Sequence, residues 1–229
     1  MPADSASLFE PVWLSLRLSS VTVVILLAIG LPLGWWLAVT RSRWKTPVEA
    51  VTALPLVLPP SVLGFYLLIF MGPGGPAGAF WHTLTGHSLA FTFGGLVLAS
   101  CVYSMPFVVQ PLQAAFETLD RRAVEASWTL GASRWFTFWA VILPQIRRGL
   151  LTAMVLGFAH TMGEFGVVMM VGGNIPGHTQ VVSVAIYEQV ELLQYDLAGL
   201  LSAALLVFSF GVLVAVYSMN RRWYAELRA

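Results

Sequence analysis

The clearest potential for chemistry in this sequence lies in an imidazole and an acid inside an otherwise apolar segment. His160 and Glu164 stand four residues apart, so on a helix both side chains would share one face. Gly157 and Thr161 fall on the same face. Ionisable side chains in a segment apolar enough to cross a membrane must face protein or water. Three interpretations stay open: a buried hydrogen bond that holds two helices together, a polar gate of a conduit, or a proton relay.

Three prolines form a second group of candidates. Pro55, Pro59 and Pro60 lie within the apolar stretch LPLVLPP at 54–60. Each proline lacks a backbone N–H, and carbonyl groups left without a donor are tolerated in a membrane only against protein or water. The segment is therefore either a kink for packing or part of a conduit wall, and the sequence favours neither.

The sequence lacks the residues required for several kinds of chemistry. No G-x4-G-K-[ST] phosphate-binding loop occurs, so we expect that this chain is not an enzyme and does not hydrolyse ATP itself. Neither a metal nor another cofactor is expected in this chain, because no nucleophile with its base, acid pair or cluster of metal ligands stands out. The formal net charge of +1 gives no reason to expect a nucleic-acid partner.

The composition places these residues in a membrane. Of the 229 residues, 58% are hydrophobic and 10% are charged, which excludes an ordinary soluble enzyme. No Asp, Glu, Lys or Arg occurs between Glu49 and Glu117. Because a helical crossing of a membrane needs about 20 apolar residues, this run is long enough for more than one crossing. The apolar runs also lack the alternation of barrel strands. We expect one all-α integral membrane domain over residues 1–229, a bundle of five transmembrane helices at 18–40, 50–71, 89–111, 149–171 and 197–220.

The basic residues predict the orientation of this bundle. Five spans divide the loops and tails into two sets, and eleven of the 12 Lys and Arg residues belong to one set, while the other set has only Arg17. The positive-inside rule places the larger set in the cytoplasm, so we expect the amino terminus outside and the carboxyl terminus inside. The larger set consists of Arg41, Arg43, Lys45, Arg121, Arg122, Arg134, Arg147, Arg148, Arg221, Arg222 and Arg228.

The outer segment 178–195 has two possible relations to the membrane. Its apolar residues are interspersed with Glu188 and Glu191. We expect a short helix that lies against the outer ends of the bundle. A sixth span is the alternative, but it would place both glutamates in lipid and move the basic carboxyl tail outside.

The cytoplasmic loop between the third and fourth spans is predicted to form two short helices. Asp120 and Ser133 are suitable amino-terminal caps of the two helices. Gly131 suits a left-handed turn that ends the first helix, and Pro144 is expected to close the second. Large aromatic residues on this loop, Trp128 among them, indicate a protein interface or a surface that rests on the membrane.

This loop resembles the coupling motif of bacterial ABC importer permeases, E-A-A-x3-G-x9-I-x-L-P. Serine replaces the second alanine and Val141 replaces isoleucine, and both changes are small and nearly conserve volume. In that family the short helix after the glutamate sits in a cleft of a separate cytoplasmic ATPase and transmits its closure to the membrane helices. The ATPase-coupling residues that the resemblance implies are Glu125, Ala126, Ser127, Trp128, Gly131, Ala132, Leu143 and Pro144.

Three more segments resemble the molybdate permeases of this class: 54–60, Gly163-Glu164-Phe165-Gly166 and 173–179. Sulfate permeases share weaker versions of them. The resemblance implies a homodimer in the bacterial inner (cytoplasmic) membrane with a conduit along its two-fold axis. It also implies two cytoplasmic ABC ATPase subunits that bind ATP and Mg, and an extracytoplasmic oxyanion-binding protein.

The expected function is therefore the import of molybdate, or tungstate, through a membrane permease. A sulfate or thiosulfate permease is the alternative within the class. A proton-coupled carrier that uses His160 and Glu164 without an ATPase is the alternative from another class. The candidates for the conduit or its gate are Pro55, Pro59, Pro60, Gly157, His160 and Glu164.

Overall fold

The structure, a computed structural model, describes residues 5–226, so residues 1–4 and the basic Arg228 lie outside the described residues. Every regular element in this part of the chain is helical, and a π-helical turn, Phe138–Ile142, joins α7 to α8. The α-helices are α1 (Ser5–Val39), α2 (Lys45–Val57), α3 (Pro60–Met71), α4 (Pro76–Thr85), α5 (Phe93–Glu117), α6 (Arg121–Thr129), α7 (Arg134–Thr137), α8 (Leu143–Met162), α9 (Gly166–Gly172), α10 (Val182–Glu191) and α11 (Tyr195–Glu226).

The apolar helices confirm the prediction of an all-α membrane bundle. Within the described residues, four helical stretches are long and apolar enough to cross a membrane: Phe9–Val39, Phe93–Glu117, Arg134–Met162 and Tyr195–Val214. The pair α2 and α3 passes the same test together and makes the fifth span if it is counted as one. Counted in this way, the described residues contain five spans, the number that the sequence predicts.

The second span, predicted at 50–71, is not straight, which agrees with the prolines that were expected to interrupt it. α2 and α3 meet at an angle of 114°. Leu58 and Pro59 have extended ψ values of 134° and 138°, because each precedes a proline and the proline ring disfavours helical geometry at the residue before it. Pro55, by contrast, remains inside α2. The two halves are each too short to cross a membrane alone.

The fourth span begins earlier and ends earlier than the predicted 149–171. It runs from Arg134 to Met162 and stops at Gly163, before the separate short helix α9. Pro144 does not close the helix, so that prediction is also wrong. The proline takes one of the first two positions of α8, directly after the π-helical turn, where the Leu143 N–H bonds to the Phe138 carbonyl oxygen. The wider turn changes the hydrogen-bond register, so the missing proline N–H does not interrupt the helix.

The main core lies where α1, α5 and α8 pack together at the end of the bundle that carries the loop 117–148. Leu26, Val108 and Leu112 are buried there together with Ile146 of α8. The Trp35 ring packs edge-on against another core residue, Phe116, with the ring centroids 5.3 Å apart. Residues of the loop itself belong to the same cluster, so the loop is continuous with the core of the bundle.

The outer segment forms the short helix that the sequence predicts. α10 has 10 residues, about 15 Å, and cannot cross a membrane, so the alternative of a sixth span is wrong. Val184 and Ala185 are buried, and α10 packs against α1 and α11. On its exposed side, Tyr187 donates a hydrogen bond of 2.6 Å to Glu191, and this bond raises the pKa of the phenol.

Candidate functional site

The loop 120–137, which we call the coupling hairpin, contains α6 and α7 with both predicted caps. Asp120 Oδ1 accepts a hydrogen bond from the Arg122 N–H at 3.0 Å, and Ser133 Oγ accepts one from the Phe136 N–H at 3.2 Å. Each bond satisfies an amide that would otherwise lack a partner in the first turn of its helix. The start of each helix is therefore fixed by residues close to it in the sequence.

Gly131 ends α6 in the left-handed conformation that the sequence predicts, with φ +83°. The Ala132 N–H donates to the Ser127 carbonyl oxygen at 3.0 Å, and the Gly131 N–H donates to that of Trp128 at 2.9 Å. This pair of bonds is a Schellman motif, which pairs the last carbonyl groups of the helix and sets the direction of the chain after it. The turn between α6 and α7 thus has a defined geometry.

A side-chain contact that the sequence did not predict joins the two helices of the hairpin. Ser127 Oγ donates to the Val124 carbonyl oxygen at 2.7 Å and lies 2.9 Å from Thr137 Oγ1. Thr137 is buried, so this contact gives its hydroxyl a partner. The only available signal was that serine replaces alanine in the coupling motif.

The hairpin has one side in the core and one side exposed. Val124 is buried in the main core cluster, and the Asp120 N–H donates to Gln145 Oε1 of α8 at 3.0 Å. Trp128 is 49% exposed and Leu130 is 87% exposed. Apolar side chains this exposed outside the membrane spans indicate a contact with another molecule.

The eight predicted coupling residues therefore divide into two groups. Six lie in the hairpin, and Glu125 and Ala126 are among the exposed ones. Leu143, which packs against the core, and the exposed Pro144 lie beyond the π-helical turn at the start of α8. These two residues lie within the fourth span, which begins at Arg134 in the hairpin itself.

A second candidate site lies where α3 and α9 begin, each directly after a break in a span. A Cβ built on Gly166 would lie 2.6 Å from Pro60 Cβ, and one built on Gly64 would lie 2.8 Å from Met170 Cβ. Only glycine allows the two helices to approach this closely. The proline segment and the GEFG segment, which the sequence singled out separately, therefore meet in the structure. We call this contact the paired helix starts.

Glu164 lies in the break between α8 and α9 and does not share a helical face with His160, so that prediction is wrong. α8 ends at Met162, because the chain leaves helical geometry at Gly163. Glu164 is 7% exposed, and its Oε1 accepts a hydrogen bond of 2.8 Å from the Val167 N–H at the start of α9. The Ser183 hydroxyl of α10 donates to the Glu164 carbonyl oxygen. Glu164 thus ties the break to α9 and α10.

His160 belongs to a separate polar group between α5 and α8. Its Nδ1 lies 2.9 Å from Ser104 Oγ, which in turn lies 2.9 Å from Thr161 Oγ1. The imidazole stacks on Phe107 with centroids 3.8 Å apart. No hydrogen bond joins His160 to Glu164 in the part of the chain that the structure describes. The arrangement supports the interpretation of His160 as a partly buried contact between two helices.

The remaining conduit candidates differ in exposure. Gly157 is buried, and a Cβ there would lie 2.6 Å from Val108 Cγ2, so it allows close packing of α8 on α5. Pro55 is also buried, whereas Pro59 and Pro60 are exposed at the bend. The two prolines of the bend are therefore exposed in this chain, and the other two residues are not.

Comparison with known proteins agrees with this architecture. The family model described as "Binding-protein-dependent transport system inner membrane component" matches residues 30–222. The "Molybdenum transport system permease protein ModB" of Azotobacter vinelandii is 55% identical over 214 residues, which cover 93% of this chain and 94% of that protein. The "Sulfate transport system permease protein CysT" of Synechocystis is 34% identical over 211 residues, or 89% and 73% of the two chains.

A solved structure shares the fold. It is a chain of a bacterial ABC transporter involved in the import of the acidic polysaccharide alginate, with a TM-score of 0.76 over 96% of this chain and 80% of that chain. The identity is 16%, so this likeness concerns the fold alone. The family match extends over most of the sequence, including the coupling hairpin and the paired helix starts. The chain belongs to the family of binding-protein-dependent transport system inner membrane components.

Proposed function

We propose that this chain is the permease subunit of an ATP-driven importer that conducts molybdate, or tungstate, into the cytoplasm. The observation that carries the proposal is the coupling hairpin, which is fixed at both helix starts and at Gly131 and exposes Trp128 and Leu130. The name of the relative from Azotobacter vinelandii supports molybdate as the cargo.

Two cytoplasmic ABC ATPase subunits would supply the energy, each docked on one coupling hairpin. A hairpin that is frayed or flexible would absorb the movement of such a partner. Here the capped helices, the contact between Ser127 and Thr137 and the burial of Val124 favour transmission of that movement to the fourth span. ATP and Mg would be bound by the ATPase, since the sequence contains no phosphate-binding loop.

A second copy of the chain would complete the conduit. Leu63, Leu67 and Met71 of α3 are buried in the cluster that also contains residues of α9, whereas Phe65 and Tyr66 of α3 are 49% and 63% exposed. An apolar helix with one face packed and the other exposed supports contact with another protein. The paired helix starts would then lie beside the two-fold axis of a homodimer.

The cargo would bind only weakly within the membrane. The sequence carries no Lys or Arg between Lys45 and Arg121, or between Arg148 and Arg221. Within these two stretches an oxyanion would meet hydroxyl groups, amides and helix dipoles, but no fixed positive charge. The arginines of the described spans lie outside these stretches: Arg17, Arg134, Arg147 and Arg148. Tight recognition would therefore reside in a separate extracytoplasmic binding protein, and weak binding along the conduit would allow release inside.

The proposed setting is the bacterial inner membrane, with the amino terminus outside and the coupling hairpin in the cytoplasm. The distribution of basic residues supports this orientation. Labelling of single cysteines placed in the hairpin and in the 72–88 loop, in intact cells and in opened cells, tests it. Hairpin cysteines that react with an impermeant reagent in intact cells would contradict it.

Two alternative functions can be distinguished by the transport experiment described below. The first alternative is import of sulfate, and the identity of 34% to a sulfate permease supports it. Proton-coupled transport is less well supported, because His160 and Glu164 bond to different partners, Ser104 and the Val167 N–H.

The decisive experiment is reconstitution of this chain in vesicles with its ATPase and binding protein. We expect ATP-dependent uptake of molybdate and tungstate in excess of sulfate. Preferential uptake of sulfate would establish the first alternative. Accumulation by this chain without an ATPase, driven by a proton gradient, would contradict the importer.

Cysteine labelling across 54–64, in a Cys101→Ser background, tests the conduit wall. We expect an aqueous reagent to modify cysteines at Pro59 and Pro60 and not at Pro55, in agreement with their exposure. Protection at both positions of the bend would remove the proposal that they face the conduit.

A further inference from the structure

A cavity of about 960 Å³ lies between the second half of α1 and the coupling hairpin. Its volume is at the upper end of the range of small-molecule sites in proteins, about 300–1,000 Å³. It is separate from the paired helix starts, but its lining includes Trp128 and Ala132 of the coupling hairpin, so it adjoins the surface proposed to meet the ATPase.

The walls of this cavity are mostly apolar and aromatic. Leu31 and Trp35 of α1 form one side, and Phe116 of α5, Trp135 of α7 and Phe138 of the π-helical turn contribute to the rest. Along α1 the lining extends from position 28 to position 35, about two helical turns or roughly 10 Å. A space of this length along a membrane-spanning helix suits a hydrocarbon chain that enters from the bilayer.

Arg134 is the one charged residue among the described residues that line the cavity. It forms no ion pair with a carboxylate within residues 5–226. A guanidinium group without a carboxylate partner, at the rim of an apolar cavity, is complementary to a phosphate. Basic pockets between helices at the cytoplasmic surface bind anionic lipid headgroups, and tryptophan side chains are enriched at the same depth.

We propose that this cavity binds an anionic phospholipid of the cytoplasmic leaflet, with an acyl chain along α1 and the phosphate at Arg134. The inference rests on the proposed cytoplasmic position of the coupling hairpin but not on the identity of the cargo. The bound lipid fills the space between the first span and the hairpin. It therefore supports the hairpin from the side that faces the membrane.

The test is native mass spectrometry of the purified chain in detergent, titrated with phosphatidylglycerol. We expect one tightly retained lipid for each chain and about fivefold weaker retention in Arg134→Gln, the effect of one basic side chain near an anionic membrane surface. Arg134→Lys should recover most of the retention. The matched control is Arg122→Gln, because Arg122 lies in the same hairpin but does not line the cavity. Ala28→Trp, which narrows the cavity beside α1 and keeps its charge, should also weaken retention of the lipid.

Four results would overturn the proposal. Equal retention of phosphatidylcholine would remove the role of charge, and equal effects of Arg134→Gln and Arg122→Gln would remove the role of this site. Binding of glycerol phosphate as tight as that of the lipid would indicate an anion site without a chain. Complete displacement of the lipid by added ATPase would assign the cavity to the protein interface. Uptake assays run on the same samples separate this inference from the transport function, since lipid retention does not require cargo.

Discussion

Alanine in place of Gly131 isolates the energetic cost of the left-handed residue that ends α6. No atom lies within 4 Å of a Cβ built at this position, so the substitution adds strain at φ +83° and no clash. A non-glycine residue in the left-handed region costs about 1–2 kcal/mol. The ratio of intact to frayed helix ends should therefore fall about 5- to 30-fold.

Hydrogen exchange of the peptide that covers 127–132 measures this ratio directly. We expect the amides of Gly131 and Ala132, which donate the two Schellman bonds, to exchange about 5- to 30-fold faster in Gly131→Ala. Gly131→Asn should show a smaller increase, because asparagine tolerates the left-handed region better. ATP hydrolysis by the docked partner should become less dependent on cargo-loaded binding protein in the same order.

Gly86 provides a matched control on the opposite side of the bundle. It ends α4 at φ +73°, and again no atom lies within 4 Å of an added Cβ. Gly86→Ala should accelerate exchange locally by a similar factor and leave the coupling of ATP hydrolysis to uptake unchanged. Unchanged exchange in Gly131→Ala would refute the strain argument. Faster hydrogen exchange in Gly131→Ala with unchanged coupling of ATP hydrolysis to uptake would refute the role of the hairpin in that coupling.

Three further substitutions test the paired helix starts and the hairpin. Gly166→Ala brings a Cβ to 2.6 Å from that of Pro60, so we expect a loss of about 1–3 kcal/mol of stability and a lower Tm. Glu164→Gln keeps an oxygen that can accept from the α9 amide and should retain uptake, whereas Glu164→Ala loses this cap and should cost about 1 kcal/mol. Ser127→Ala removes the hydrogen bond between α6 and α7 and should cost about 1 kcal/mol, seen as faster proteolysis of the hairpin.

Each of these expectations has a result that contradicts it. Gly199→Ala on α11, where nothing lies within 4 Å of the Cβ, serves as the control for Gly166→Ala, and equal Tm values for the two would contradict close packing at the paired helix starts. Loss of uptake in Glu164→Gln together with loss of a cargo-linked proton flux would support the proton-coupled carrier. An unchanged proteolysis rate in Ser127→Ala would show that the hydrogen bond does not hold the hairpin together.

The features that the sequence predicted correctly are those determined within a few residues. Asp120 and Ser133 each bond to an amide two or three residues away, and Gly131 closes its turn with carbonyl groups three and five residues away from their donors. The length of an apolar run likewise identifies a membrane span without knowledge of the helices that pack against it. For these features the local chemistry and the final structure agree.

The features that the sequence missed depend on distant contacts. The proline pair indicates a break at 58–60, but the angle of 114° also depends on the packing of α3 against α9. Helical periodicity paired Glu164 with His160, although α8 ends between them and His160 bonds to Ser104, 56 residues earlier. Pro144 ends a helix by the usual rule, and the π-helical turn before it is not apparent from the sequence.

The π-helical turn has a mechanical consequence for the whole transporter. Because it lets the helix pass Pro144 without ending, Arg134–Met162 is a single arm of 29 residues, about 43 Å long. If the hairpin end of this arm serves as its pivot, a tilt of about 5° sweeps the far end through roughly 4 Å. That far end adjoins Glu164 and the start of α9, which touches Pro60. If the proposed ATPase tilts the hairpin end by this amount, the far end of the arm would move by about the diameter of one atom, and no helix would have to unfold.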